Sequence, residues 1–243
     1  MFKSLECDLK IQSHFPKKTK KSSWKFRLIY INHNLNKNAS DFENKNLKGV
    51  FKMTKEENCI ILDFLAQGYA DRRHPEPVAQ ALGKHFSLLE LVPKEGIVLK
   101  PEEEVYIGSG PRDKIRYIKR SLIYADLTNF GKNMLNQFVT KLVSEEEARF
   151  VEFFNKSSII TPRMHQLELI PGIGKKHVSD ILDERRKKPF ENYKDMVDRV
   201  KLFPDPAKAI IKRILMELEG EEKYHIFTPA RRREEYGQQT YRR

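Results

Sequence analysis

The chain has 243 residues, 39% hydrophobic and 33% charged, with a formal net charge of +12 at pH 7, a length that suits one large or two small domains. Cys7 and Cys59 are its only cysteines, which excludes a disulfide framework and a cysteine-based metal site. No apolar run is long enough to span a bilayer and the first residues lack a signal-peptide core, so a cytoplasmic setting without a membrane partner is expected.

The charge is uneven. Residues 1–52 hold 12 Lys/Arg and 4 acids, which is +8 of the total and leaves +4 for the other 191 residues. Overall basicity is therefore a weak pointer to nucleic acid, and local patches must carry that argument. Residues 1–52 are also rich in Lys and Asn, and only residues 24–31 read as a strand. Composition shifts sharply at Met53. Two readings stand side by side: Met53 as the natural start after an over-extended reading frame, or a basic, low-order arm that clings to phosphates.

Residues 53–122 read as a small β domain. The apolar runs 59–65, 86–92, 97–99, 105–107 and 115–118 are short and separated by Gly and Pro. That spacing predicts a barrel or sandwich, and an OB-like barrel fits its size. Residues 71–77 are expected as a loop, and 78–82 read as a helical turn. The predicted class is therefore α+β, a β-barrel followed by an all-α region spanning 123–225.

In the α region, Phe130, Met134, Leu135, Phe138, Val139 and Leu142 recur on one helix face. Ser144 and Glu147 form a capping box for the next helix, which buries Phe150, Val151 and Phe154. Thr161 and Pro162 predict an N-cap and first helical position, so 162–187 reads as helix, hairpin, helix. Phe190, Tyr193, Met196, Val197 and Val200 make another stripe. Asp205 and Pro206 start a last helix, which Gly220 stops. Residues 226–243 read as a basic disordered tail.

Residues 170–177 carry the most chemistry: Ile170, Pro171, Gly172, Ile173, Gly174, Lys175, Lys176 and His177. Glycines allow a tight turn and close approach of another surface. The helix that follows begins with unpaired amides at its positive end, a site suited to phosphate. Lys175 and Lys176 add charge there, and His177 adds a polar contact. The competing reading is a helix–helix turn with no ligand. Backbone gripping would carry no base information.

Leu167, Leu169, Pro171, Gly172, Ile173, Gly174, Ile181, Phe190, Met196 and Val197 resemble the pattern of a tandem helix-hairpin-helix domain. Its second half, 189–219, is degenerate: Leu202, Phe203, Pro204, Asp205 and Pro206 stand where a second Gly-x-Gly is expected. Prolines remove donors and Asp205 would repel phosphate, so only the first hairpin is expected to grip. The larger arrangement, from 53 to about 225, resembles an archaeal family of unknown function, domain-of-unknown-function family 655, predicted to bind RNA. That resemblance implies a binding class, with RNA as partner ahead of DNA, and no enzyme or cofactor. Its members begin near the equivalent of Met53.

Elsewhere, Arg72, Arg73 and His74 read as an exposed loop or as a barrel-rim contact to RNA. Tyr106 and Tyr117 read as strand packing or as stacking platforms for bases. Lys114, Arg116, Lys119 and Arg120 flank Tyr117, and strand alternation puts Arg116 on the opposite face. Arg185, Arg186, Lys187 and Lys188 read as a solvated helix end, and Lys208, Lys212 and Arg213 have the same modest status. His165 and His177 alone do not make a zinc site, so no metal is expected. A glycosylase-like lyase would use Lys176 and Asp195, but Asp195 sits inside an amphipathic helix and no enzyme is expected. The remaining alternative is a protein adaptor on a ribosomal or transcription assembly.

Overall fold

The computed structural model describes residues 55–69, 76–220 and 222–229. The expectations for residues 1–52, Arg72, Arg73, His74 and the tail beyond 229 lie outside them. Five strands come first: β1 (Asn58–Leu65), β2 (Val78–Gly83), β3 (Leu88–Pro93), β4 (Glu104–Tyr106) and β5 (Ile115–Ser121). They form one curled antiparallel half-barrel in the order β4-β1-β2-β3-β5. This is the predicted α+β class, and the half-barrel is consistent with an OB-like expectation.

Both faces of β2 and β3 are covered. Cys59, Ile61, Ala79, Ala81, Leu89, Leu91 and Val105 pack in one buried cluster, while Leu62, Leu82 and Leu88 join the helical core. Burial pushes the Cys59 thiol up to about 12, which keeps it protonated and unreactive. Residues 78–82, expected as a helical turn, are the central strand β2, with every residue buried. Two flanking strands and cover on both faces override the helix preference of Ala79, Gln80 and Ala81. Residues 97–99 form no strand: Leu99 plugs the inner cluster while Val98 is 72% exposed.

The helices are α1 (Asn129–Glu145), α2 (Glu147–Lys156), α3 (Lys175–Lys187), α4 (Tyr193–Arg199) and α5 (Pro206–Glu219). Gln80 seats α1 on the sheet: its amide donates to the Asp126 carbonyl at 2.9 Å and accepts from Thr128 N at 3.0 Å. Thr128 in turn caps α1 by accepting from Gly131 N. Most of the predicted apolar face is buried, but Phe130 is 49% exposed at the first turn. Ser144 caps nothing. Burial of Leu142 and Val143 carries α1 past it, and its hydroxyl bonds back to the Thr140 carbonyl. On α4, Val197 is 45% exposed, outside the stripe that buries Met196.

The largest correction precedes the Gly-rich turn. No α-helix starts at Pro162. Instead β6 (Ile159–Thr161) pairs with β7 (Met164–His165), and a 3-10 turn follows at Gln166–Leu169. Ile159 and Ile160 favour extended backbone, and Pro162 suits the tip of a tight turn.

The core is phenylalanine-rich. Phe150 meets Phe86 of the β2–β3 loop at 6.4 Å and Phe227 at 5.6 Å. Phe153 meets Phe227 at 5.0 Å, and Phe154 meets Phe203 at 6.0 Å. Ile226, Phe227 and Thr228, expected in the tail, are therefore buried. A carboxylate holds them: Glu217 accepts from Ile226 N at 2.9 Å and from Phe227 N, Thr228 N and the Thr228 hydroxyl at 3.0 Å. Arg213, also buried, neutralises Glu217 at 2.9 Å. Glu217→Ala leaves three buried amides without an acceptor and Arg213 with Glu222 as its one ion-pair partner among the described residues, so it is expected to cost about 3–5 kcal/mol in urea unfolding. A loss under about 1 kcal/mol, the range of an exposed pair, would show that the clamp does not hold the strap.

Candidate nucleic-acid interface

The approach to the turn is fixed by its own caps. His165 Nδ1 accepts from Leu167 N at 3.1 Å, and the Glu168 carboxylate accepts from His165 N at 2.8 Å. Burial, then the charge of Arg185, holds the His165 pKa below its usual 6.5 against the pull of Glu168. The ring is thus neutral at pH 7 and free to accept. Ile173 N closes a β-turn on the Ile170 carbonyl at 3.1 Å. Pro171 presets the first corner, and Gly172 takes the second with φ +88°, a type II arrangement that requires glycine. Ile173 is 5% exposed and pins the turn into the core.

Gly174 then caps α3 with extended backbone and no side-chain partner. Val178 N makes the first helical bond, to the Gly174 carbonyl. Among the described residues, the amides of Gly174, Lys175, Lys176 and His177 have no hydrogen-bond acceptor. Gly172, Gly174, Lys175 and Lys176 are all exposed. A methyl group built on Gly174 would have no atom within 4 Å. Neither φ nor internal crowding demands glycine there; glycine suits the N-cap and leaves the backbone open to an approaching group. His177 is half-buried, its ring edge-on to Phe203 at 6.3 Å.

The segment before α5 repeats this plan and closes it. Leu202 occupies a left-handed corner with φ +54°, Phe203 is the buried plug, and Asp205 is the N-cap. The Asp205 carboxylate accepts from Lys208 N at 3.1 Å and pairs with Lys208 Nζ at 3.3 Å. Pro204 packs beside Gly172, so the two turns adjoin. One helix start supplies its own anion; the other leaves its amides open.

Charge follows the same division. Arg186 pairs with Asp183, Lys187 with Glu184 and Lys188 with Glu191. Arg185 is no solvated end: it donates to the Phe154 and Ser157 carbonyls and the Ser157 hydroxyl, tying α3 to α2. Arg213 is buried against Glu217 and Glu222. Lys175 and Lys176 have no ion pair among the described residues, nor does Lys212. Lys212 lines a groove of about 520 Å³ whose opposite wall includes residues 168–174. Sequence reading missed this placement; the only signal was a lysine on the polar side of α5, opposite Ile210 and Ile214.

Most candidate residues of the barrel have partners within or beside it. Tyr117 donates to Glu76 at 2.7 Å, a bond that raises its pKa and lowers that of Glu76, where Lys119 contributes first. Lys119 pairs with Glu76 and Glu90, Arg120 with Glu90 and Asp126, and Lys114 with Glu103. Arg116 was expected opposite Tyr117 but lies 6.0 Å from its ring centroid. The register shifts between Val92 and Pro93, so Arg116 is the extra residue of a bulge and loses its alternation. Tyr106 accepts from Gly110 N at 3.1 Å. Asp195 accepts from Glu191 N at 3.1 Å and pairs with Arg199 at 3.0 Å. Among the described residues no helix is long and apolar enough to cross a membrane, and no cluster of His, Cys, Asp or Glu could hold a metal ion.

The fold and this turn define an α+β protein in which a half-barrel precedes a helical region carrying one open helix start. The chain belongs to the family described as "Protein of unknown function (DUF655)", which matches residues 55–229. It is 42% identical over 180 residues to "Uncharacterized protein MJ0038" of Methanocaldococcus jannaschii, covering 72% of this chain and 82% of that one. It is also similar to the crystal structure of Af1531 from Archaeoglobus fulgidus, of the same family. There the TM-score is 0.63 and the identity 41%, over 72% of this chain and 100% of that one.

The two glycines should separate in unfolding experiments. Gly172→Ala forces a side chain to φ +88° and is expected to cost about 1–2 kcal/mol. Gly174→Ala meets no backbone strain and loses only the N-cap preference of glycine over alanine, an expected cost under about 1 kcal/mol. Equal losses in urea titrations would mean that Gly174 has an internal structural duty.

Proposed function

We propose that this chain binds nucleic acid, RNA in particular, by gripping the phosphodiester backbone at the start of α3 with little sequence selectivity. The observation that carries the reading is the contrast between two adjoining helix starts: Asp205 caps one, and the amides of residues 174–177 stay open beside Lys175 and Lys176. A phosphate oxygen would accept from those amides, and the two lysines would displace counterions. RNA is favoured by the family resemblance, since backbone amides do not read the sugar. The reading is a binding role in a cytoplasmic setting, not catalysis: the Asp195 carboxylate that a lyase would recruit is engaged by Arg199. A second reading, docking on a ribosomal or transcription assembly, draws on Leu202, which is 90% exposed. A complex surviving nuclease and high salt would favour it.

The test is fluorescence anisotropy of labelled RNA oligomers of several sequences against salt. Lys175→Ala with Lys176→Ala is expected to weaken binding alike for all sequences. The double variant should also lower the log–log salt slope by about 1.4–1.8, for two phosphate contacts. An unchanged slope would overturn the reading.

A further inference from the structure

A groove lies beside the turn, next to the open amides of α3. One wall is Leu169, Ile170 and Pro171; the other is α5, through Lys212 and Met216. It is shallow and open to solvent, about 520 Å³, a surface groove and not an enclosed cleft. The groove shares the Gly172–Gly174 backbone with the open amides, so it adjoins a chain anchored there. Two carboxylates border it and both are engaged. Glu168 accepts from His165 N at 2.8 Å, and Glu222 pairs with Arg213 at 2.9 Å. That leaves Lys212, exposed and without an ion pair among the described residues, as the free charge of the groove. The neighbouring cations of α5 differ: Lys208 pairs with Asp205, and Arg213 is buried.

We propose that this groove receives the unpaired nucleotide next to the anchored phosphate, so that the protein holds a single strand in preference to a duplex. This rests on the start of α3 being a phosphate site. Leu169, Pro171 and Met216 present partly exposed apolar surface to the face of a base, and a thioether is an adaptable wall for bases of different size. Lys212 meets the adjoining phosphate from across the groove. A symmetric grip on both strands of a duplex would need two open helix starts. The second start carries the Asp205 carboxylate, which repels phosphate and already satisfies its own amide. One strand is therefore held at one turn, and its neighbouring base is directed into the groove.

The experiment compares the intact protein with three labelled probes at fixed salt. They are a 12-nucleotide oligouridylate, the same oligomer with abasic residues at its centre, and a 12-base-pair RNA duplex. The wild type is expected to prefer the single strand to the duplex by at least tenfold. Loss of the central bases should weaken binding by about fivefold or more, the lower range for one stacked base. Lys212→Ala, an exposed change that spares the fold, should reduce the salt slope on the oligouridylate by about 0.7. Equal binding to the duplex, or no effect of both the abasic centre and Lys212→Ala, would overturn the proposal. The two readings fail differently. If the Lys175/Lys176 double variant lowers the slope while Lys212→Ala and the abasic probe do nothing, only the groove is lost. If the double variant has no effect, the phosphate site fails and the groove with it.

Discussion

Phenylalanine packing on α2 is the constraint on which the rest of the molecule depends. Phe150, Phe153 and Phe154 touch, in turn, Phe86 from the half-barrel, Phe227 from the C-terminal strap and Phe203 from the turn before α5. Phe203 then meets His177 in the first turn of α3. Ring pairs of this kind contribute about 0.5–1.5 kcal/mol each beyond their buried area. Their larger effect is geometric. The chain of rings runs from the sheet to the Gly-rich turn, and Ile173 plugs that turn into the same core. The open amides therefore project from a rigid base, and a ligand need not order them first.

Physical economy explains the two adjoining helix starts. Each uses a left-handed corner, a buried apolar plug and an N-cap. The first places Gly172 and Gly174 at corner and cap, which exposes bare backbone. The second places Leu202 and Asp205 there, which covers the backbone with a carboxylate. The helix dipole favours an anion at both, and only the second supplies its own. The cations agree with this: Arg186 and Lys187 on the far end of α3 face acids within a turn, while Lys175 and Lys176 face solvent. An unpaired local charge of this sort matters more than the +12 total, most of which lies in residues 1–52.

Much of this was legible in the sequence where local chemistry decides. The glycines at 172 and 174 announce a tight turn, Asp205 and Pro206 a helix start, and Gly220 its stop, and each forms where expected. The misreadings occur where distant parts of the chain decide. Residues 78–82 look helical by composition and are a strand because sheet neighbours flank them on both sides. Pro162 suits a helix start and also a hairpin tip, and Ile159 and Ile160 tip the balance to strand. Arg116 leaves its face because of a bulge that alternation cannot show. Arg213 looks like a surface cation, yet Glu217 and Glu222 surround it. Lys212, one residue away, looks the same in sequence and faces the groove. A one-residue step turns a helix position by about 100°, so buried and free cations can alternate without any local sign.

The central claim is that the amides at the start of α3 are open to an anion, while at the start of α5 the Asp205 carboxylate already holds the Lys208 amide. Nuclear magnetic resonance of the labelled protein tests this most directly, by titrating an RNA oligomer while following individual amides. The account predicts that Gly174, Lys175 and Lys176 shift strongly and saturably, and that the Lys208 amide, held by Asp205, stays put. Shifts of equal size at both helix starts, or none at Gly174 through Lys176 while binding occurs elsewhere, would contradict it.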